Sequence, residues 1–411
     1  MRVLLTDGSG LTARQCATIL AAAGHAVETV SSDPLCLCRF TRHVRRVHRV
    51  QDFAADPFGW LEATLDVYAR GRFDVLLPTQ EQVAVLAAVP ERLRAAGVAA
   101  AVPPFEALSR VQDKLAAFAT LRELGLPQPP ASVVASAAEL ADWRAFPVYL
   151  KTPIGTASTG VRRVESAAGL ADLPGSWGAA ADATGLLAQQ QVAGPLVMVQ
   201  SVFDRGQLVA FHATERLREG PRGGASHKRS LELPAVRDDL GRLGQHLSWH
   251  GALSADVIAG PGGPVFIDIN PRLVEPVNAG RAGVDLVGPL LDLARGRPVT
   301  IQPPGTAGVR THQLLLGVLG AAAERGTRAA VARELLDGGT RRGGYLGSEE
   351  ELTPRPGRDP RGLVLLAVTA ATVLIRPAAW TLFAGGSVTA YALTPAAWEA
   401  IREHSSLQAP Q

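Results

Sequence analysis

Apolar and polar positions along the first hundred residues switch between two periods. Residues 3–6 are a short run of β-formers, Asp7-Gly8-Ser9-Gly10 is a turn, residues 11–23 carry apolar positions at helical spacing up to Gly24, and residues 26–30 return to strand character. This is a βαβ unit. The cycle repeats as a helix around 60–69, a strand over 73–78, a helix over 80–96 and a strand at 98–102, ended by Pro103-Pro104. Strands alternating with helices predict a parallel sheet, so residues 1–102 read as a Rossmann-like domain. The first turn is not a full GxGxxG, so it carries no dinucleotide signal.

From 103 to about 299 the pattern becomes a helix, paired strands, glycine-rich loops and a second α/β segment. Beyond 298, helices are predicted near 312–322 and 328–336, a Gly/Pro/Glu-rich loop over 338–361, and a strand at SVTAYAL near the end. Residues 363–375 contain no charge, yet fall short of the ~20 residues a helix needs to span a bilayer, which predicts a buried element and not a membrane anchor.

A chain of 411 residues exceeds what one core usually organises, so two or three packed domains are expected. Its 41 basic and 38 acidic residues leave a net charge of +3, too balanced a surface to argue for nucleic acid. Small-molecule partners are the expectation. Three cysteines, Cys16, Cys36 and Cys38, make no disulfide framework and imply a reducing compartment; with no signal peptide at the N-terminus, a cytoplasmic location is expected. Cys36 and Cys38 read either as a metal-binding pair or, with no further cysteine nearby, as a buried pair at a strand end. Residues 39–50, with five Arg and two His between valines, read either as a patch for phosphate or acidic substrate or as the solvated face of an edge segment.

Four segments carry chemistry. In VQDKLAAFATLRELGLPQPP, Lys114 opens a helix that closes at Gly125. In FPVYLKTPIGTASTGVRRV, Lys151 ends an apolar strand and a loop with Gly155, Ser158, Thr159 and Gly160 returns to another. A lysine fixed on a strand and facing a loop rich in N–H and hydroxyl donors is one way to hold a polyphosphate, although a lone strand-end lysine is ordinarily just solvated. The third segment has two β-rich runs around Ala193-Gly194-Pro195, then a hairpin turn at Asp204-Arg205-Gly206. In the fourth, HGALSADVIAGPGGPVFIDINPRL, Asp256 sits on one strand while Asp268 and Asn270, two residues apart, share a face of the next. Two carboxylates and a carboxamide are hard oxygen donors suited to Mg²⁺, and Arg272 follows, placed to neutralise phosphate charge.

These four segments, in this order and spacing, resemble the ATP-grasp superfamily, nearest in style to its carbamoyl phosphate synthase-like and amino-acid ligase branches, over about residues 1–300. The resemblance implies an ATP-grasp fold of mixed α/β and α+β class: a Rossmann-like domain over 1–102, a two-lobed ATP-grasp domain over 103–300 with a lid at about 120–192, and an additional C-terminal α+β region over 301–411. It further implies that Lys114 and Lys151 hold the α- and β-phosphates of ATP while the 155–160 loop closes over them. Gln189, Gln190 and Val192 would belong to the hinge beside adenine. Asp256, Asp268 and Asn270 would hold two Mg²⁺ ions, with Mn²⁺ able to substitute. Arg272 would touch the transferred phosphate, acting with Lys151 in catalysis. The family's glutamate two residues before the asparagine is here Asp268, and its hinge glutamates are here Gln190 and Leu196.

The function expected from the resemblance is an ADP-forming ligase joining a small carboxylate to an amine, both of amino-acid class, through an acyl phosphate. A carboxylase or carbamate-forming enzyme of the same fold, or a catalytically weak ATP sensor, are the rival expectations. Arg216, Arg229 and Arg281 are candidate cations for the substrate carboxylate, and Gly223-Gly224 marks a closing loop. The region after Val299 is open to three roles: shaping the amine pocket, forming a homodimer, or resting on a membrane.

Overall fold

The computed structural model describes residues 1–352 and 359–408. Four strands, β1 (Arg2–Leu5), β2 (Ala26–Ser31), β3 (Val44–Arg49) and β4 (Val75–Leu77), form a parallel sheet in the order β3-β2-β1-β4. Val3, Leu4, Leu5, Val75 and Leu76 are fully buried between its flanking helices, Leu11–Ala22 and Pro57–Gly71 among them. That is the pattern of a parallel sheet covered on both faces. β3 is an edge strand whose Arg45, Arg46 and Arg49 face solvent, as one of the two readings of the basic run expects. Cys36 and Cys38 are buried free thiols in the loop and 3₁₀ turn that precede it.

A second sheet joins β5 (Ala131–Val134), β6 (Val148–Lys151), β7 (Val161–Val164) and β8 (Leu186–Gln190) in the antiparallel order β5-β8-β6-β7. It has its own small core of Val134, Val148, Leu150, Val164 and Leu186. The third sheet has seven strands: β9 (Leu196–Asp204), β10 (Gln207–Glu219), β11 (Ala225–Leu231), β12 (Gly251–Gly260), β13 (Gly263–Asn270), β14 (Arg310–His312) and β15 (Glu349–Glu350), in the order β13-β12-β9-β10-β11-β14-β15. β9 and β10 form the expected hairpin, with Arg205 and Gly206 both at positive φ (45° and 94°), the backbone a two-residue turn needs to match strand twist.

Residues beyond 300 are stitched into this body. β14 and β15 extend the large sheet, the helix Pro395–Gln408 places Trp398 and Ile401 in the main core, Trp398 against Phe105 with ring centroids 5.7 Å apart, and buried Asp359 pairs with Arg14 of the first helix at 2.6 Å. Among the described residues, no helix is long and apolar enough to cross a membrane.

Four sequence-based elements come out differently. Residues 98–102 form no strand: the segment accepts one hydrogen bond from β4, Leu76 N–H donating to Ala99 O at 2.9 Å, then turns to the start of β12, where a side chain at Gly251 would strike Ala101 O. The helix expected over 80–96 is split into Val83–Ala87 and Pro90–Ala95, since Pro90 has no N–H to continue the ladder. SVTAYAL is helical up to Thr389 in the helix Trp380–Thr389 and then turns. The apolar run 363–375 belongs to the helix Pro360–Ile375, which buries Thr369, Ala370 and Val373 but exposes Val364, Val368 and Ile375, so it is only half covered. Residues 353–358 of the expected 338–361 loop lie outside the described residues.

Candidate active site

The site forms where the antiparallel pair β12–β13, the small sheet and the carboxyl end of the parallel sheet converge. Asp256 and Asp268 are direct cross-strand partners, and Asn270 lies opposite Ser254 two pairs further on. Cross-strand partners project to the same side, so the two carboxylates and the carboxamide share one face. Immediately after Asp256 the register slips, Val257 pairing with Phe266, which leaves Ile267 as the extra residue of a β-bulge. The bulge frees the Ile267 carbonyl, and the Lys151 ammonium donates to it at 2.6 Å.

Lys151 is 94% buried at the end of β6, and that burial is the first cause of its lowered pKa. Lys114 pushes in the same direction, while Asp268 and Asp256 pull it back up. Lys114 begins the helix Lys114–Glu123, capped by Asp113, whose carboxylate accepts from Leu115 N–H (2.8 Å) and Ala116 N–H (3.1 Å). Its own ammonium donates to Gly155 O at 3.1 Å. Burial, then the charge of Asp268, pushes the Asp256 carboxyl up to about 6, against Arg272, Lys151 and Arg216. The charge of Asp268 thus opposes ionisation of Asp256, an opposition that a divalent cation relieves. The donor set fits Mg²⁺ by its chemistry: hard oxygens in register on one face, with two lysines close by.

Between the small sheet and β13 runs a narrow cleft lined by Lys114, Lys151, Leu187, Gln189, Phe266 and Asp268. Gln189 is buried and faces this cleft, whereas Gln190, the next strand residue, points outward and is exposed. Val192 leans against Gly260 at the end of β12, in a connection where Gly194 has no room for a side chain against Ala259 O. The loop 155–160 is tightly wound, with Ala157, Ser158 and Gly160 at positive φ (50°, 64° and 74°) and the Thr159 hydroxyl bonded to Thr156 O at 2.6 Å. Ser158 and Thr159 are exposed at its tip, opposite Gly223 on the β10–β11 connection.

Arg272 is fixed by an ion pair with Glu81 at 2.9 Å, and the two side chains are 12% and 4% exposed. Burial opposes its charge, but Glu81, Tyr391 and Asp256 together outweigh burial and keep its pKa raised. The same Glu81 carboxylate accepts from the Thr156 hydroxyl at 3.4 Å, and that hydroxyl accepts from Leu393 N–H at 3.2 Å. Buried Tyr391 lies within electrostatic reach of Arg272, Asp7 and Glu81. Glu81, Thr156 and Tyr391 were invisible to sequence reasoning, because their parts depend on three distant segments meeting. For Glu81, the signal that could have found it was its position in the loop after a parallel strand, where such sheets bind ligands.

The candidate substrate arginines separate. Arg216 stands within electrostatic reach of Asp256 and holds Gly223 O (2.7 Å) and Glu219 (3.0 Å). Arg229 is on the opposite face of β11 from its neighbour Lys228 and pairs with Glu215 at the surface (2.5 Å). Arg281 pairs with Glu349 across an exposed surface at 3.1 Å. Neither of these two is brought into the site. Lys228, overlooked in the sequence, is buried and donates to Glu275 and, at 2.8 Å, to Glu351. Burial works against its charge, but the two carboxylates outweigh burial and raise its pKa.

No sequence-family model matches the chain, and no curated relative matches it. Solved structures do. The biotin carboxylase domain of the Hydrogenobacter thermophilus 2-oxoglutarate carboxylase, solved with MgADP, ADP and bicarbonate, shares 16% identity over 76% of this chain and 74% of its own, with a TM-score of 0.59. Biotin carboxylase from Campylobacter jejuni shares 17% over 75% and 74%, with a TM-score of 0.59. N5-carboxyaminoimidazole synthetase from Staphylococcus aureus shares 12% over 76% and 82%, with a TM-score of 0.56. At such identities the likeness carries the architecture alone, and by that architecture this chain has the ATP-grasp fold.

Proposed function

We propose that the chain is an ATP-dependent, ADP-forming ligase that couples a small carboxylate to an amine. The observation that carries this reading is the convergence of Lys114, Lys151, Asp256, Asp268, Asn270 and Arg272 at one junction, beside a cleft of apolar walls and one buried carboxamide, Gln189. Lys114 and Lys151 are suited to bind phosphates, and the 155–160 loop supplies N–H and hydroxyl donors above them. Asp256, Asp268 and Asn270 would hold Mg²⁺, or Mn²⁺ in its place, which when bound neutralises charge on the phosphate oxygens. Gln189, not Gln190, is the hinge side chain that faces the cleft.

In this reading the substrate carboxylate oxygen attacks the γ-phosphorus, the bond from that phosphorus to the bridging oxygen breaks, and ADP leaves. Arg272, held rigid by Glu81, stabilises the charge that develops on the transferred group. The amine nitrogen then attacks the acyl carbon, the carbon–oxygen bond to phosphate breaks, phosphate leaves, and the amine gives up a proton. Hydroxylamine tests this: in the presence of the correct carboxylate it should intercept the acyl phosphate as a hydroxamate with stoichiometric ADP. AMP as product, or ADP release with that carboxylate and no hydroxamate under any condition, overturns the mechanism.

A second reading, with bicarbonate as the carboxylate and a carbamate or carboxylated product, is favoured by one observation: a structure of this fold was solved with MgADP and bicarbonate bound. Stripping bicarbonate from the buffer separates the two. ADP release that depends on restored bicarbonate supports carboxylation, and release that ignores it supports the amide-forming ligase.

A further inference from the structure

The parallel sheet ends on the same side of the molecule as the candidate active site. Asp7 follows β1 and Glu81 follows β4, and both lie within electrostatic reach of Tyr391. The ends of β2 and β3, paired at Ser31 and Arg49, open into a separate cavity of about 830 Å³, within the usual size range for small-molecule sites. Ser32, Asp33, Arg49, Gln51 and Asp52 line it, and Ala390 closes one side. Ligands of open α/β sheets bind in such crevices beyond the carboxyl ends of the strands.

The lining carries both signs of charge. Arg49 ends the basic run 39–50 and has no ion-pair partner among the described residues, unlike His48 beside it, which pairs with Glu28 at 2.7 Å. Asp33 and Asp52 each spend their Oδ1 on a backbone N–H, of Leu35 and Ala54 respectively, both at 2.8 Å. Those bonds orient the carboxylates and leave their Oδ2 atoms free to accept. The cavity also communicates with the reaction centre through the chain itself: Ala390 forms its wall, Tyr391 stands beside Arg272, and Leu393 N–H holds Thr156 of the glycine-rich loop.

We propose that this cavity binds a zwitterion, an amino acid whose carboxylate meets Arg49 and whose amino group meets Asp33 and Asp52, at a site apart from the reaction centre. The C-terminal segment 389–393 then stands between this ligand and the reaction centre. A neutral or purely cationic amine lacks the group that Arg49 recognises, and a second dicarboxylate meets repulsion from the two aspartates.

The test is equilibrium binding to the full chain without ATP, by calorimetry, using the standard L-amino acids and then the methyl ester and N-acetyl derivative of any that binds. At least one amino acid is expected to bind with one site, and Arg49→Gln, an exposed change, is expected to weaken it by roughly tenfold. The methyl ester should bind the wild type as weakly as the parent amino acid binds Arg49→Gln, and Asp33→Asn should weaken the amino acid while leaving the N-acetyl derivative unchanged. No binding by any amino acid, or binding that both variants leave intact, overturns the proposal. MgATP binding measured on the same samples keeps the two readings apart: a chain that binds MgATP but no amino acid loses this site and keeps the nucleotide assignment, whereas one that binds amino acid at Arg49 and not MgATP loses the ligase reading.

Discussion

The Lys151 ammonium reaches across from the small sheet to the large one and donates to the carbonyl of Ile267 at 2.6 Å, the residue left over by the bulge beside Asp256. One hydrogen bond thus joins a phosphate-binding candidate to the strand that carries Asp268 and Asn270. A phosphate oxygen arriving in the cleft can share this ammonium without moving it, since a lysine has three donors.

Replacing it removes both functions. Lys151→Met is expected to weaken ATP binding by roughly tenfold or more, the worth of one charge-assisted hydrogen bond of about 1.5–3 kcal/mol. It also leaves the Ile267 carbonyl without its partner, so a modest loss of thermal stability should accompany it. Calorimetric titration of ATP into the variant decides the matter, and an unchanged affinity removes Lys151 from the phosphate site.

Asp256 and Asp268 make the opposite kind of prediction. Because the two carboxylates disfavour one another in the metal-free protein, Asp256→Asn or Asp268→Asn should leave the melting temperature unchanged or raise it. Each variant should at the same time lose the stabilisation that Mg²⁺ with ATP gives the wild type. Thermal melts with and without MgCl₂ and ATP read both quantities, and a full Mg²⁺ response in either variant dismantles the proposed metal site.

Glu81 touches Arg272 and Thr156 but lies in the loop after β4, outside the sheet that carries the candidate metal residues. Glu81→Gln should therefore lower kcat, by about 10-fold or more, while changing the KM for ATP little, because it loosens a group needed mainly as charge develops. A rise in KM for ATP at constant kcat would instead make Glu81 part of the nucleotide site.

Asp359 offers a pH-dependent test of how the C-terminal region is anchored. Burial tends to raise its pKa, yet hydrogen bonds from the Thr41 hydroxyl (2.6 Å) and Arg42 N–H (3.0 Å), with the charge of Arg14, outweigh burial and hold it below the ordinary 3.8. A depressed folded-state value means its contribution is fully present above the unfolded carboxylate range and is lost as pH falls through the folded one. At neutral pH, Asp359→Asn should cost about 3 kcal/mol, since it leaves Arg14 buried beside a neutral group. The gap between variant and wild type in urea unfolding should narrow as pH drops below 4, and a gap independent of pH would show that packing, not charge, anchors this segment.

Much of the framework was legible in the chain. The βαβ start, Lys114 at a helix opening, Lys151 at a strand end, the Arg205-Gly206 hairpin and the facing of Asp268 and Asn270 follow from local periodicity, turn chemistry and the two-residue repeat of a strand. The same repeat separates Gln189 from Gln190, and Lys228 from Arg229, but which of each pair points inward depends on which face of the sheet is covered. Linear sequence does not contain that information.

The elements and the chemical kind of each local motif were therefore readable along the chain, because both arise from interactions among residues a few positions apart. Which motifs meet was settled by the packing of distant segments: Glu81, from the loop after β4, clamps Arg272, Lys151 reaches the Ile267 carbonyl, and Tyr391 and Leu393 come back some 120 residues after Arg272 to the same place. That packing also decided that Arg229 and Arg281 face solvent. The physical reason is that a charged side chain takes its partner from whatever the packed sheets bring within a few ångströms, and that neighbourhood is set by the burial of apolar residues far away along the chain.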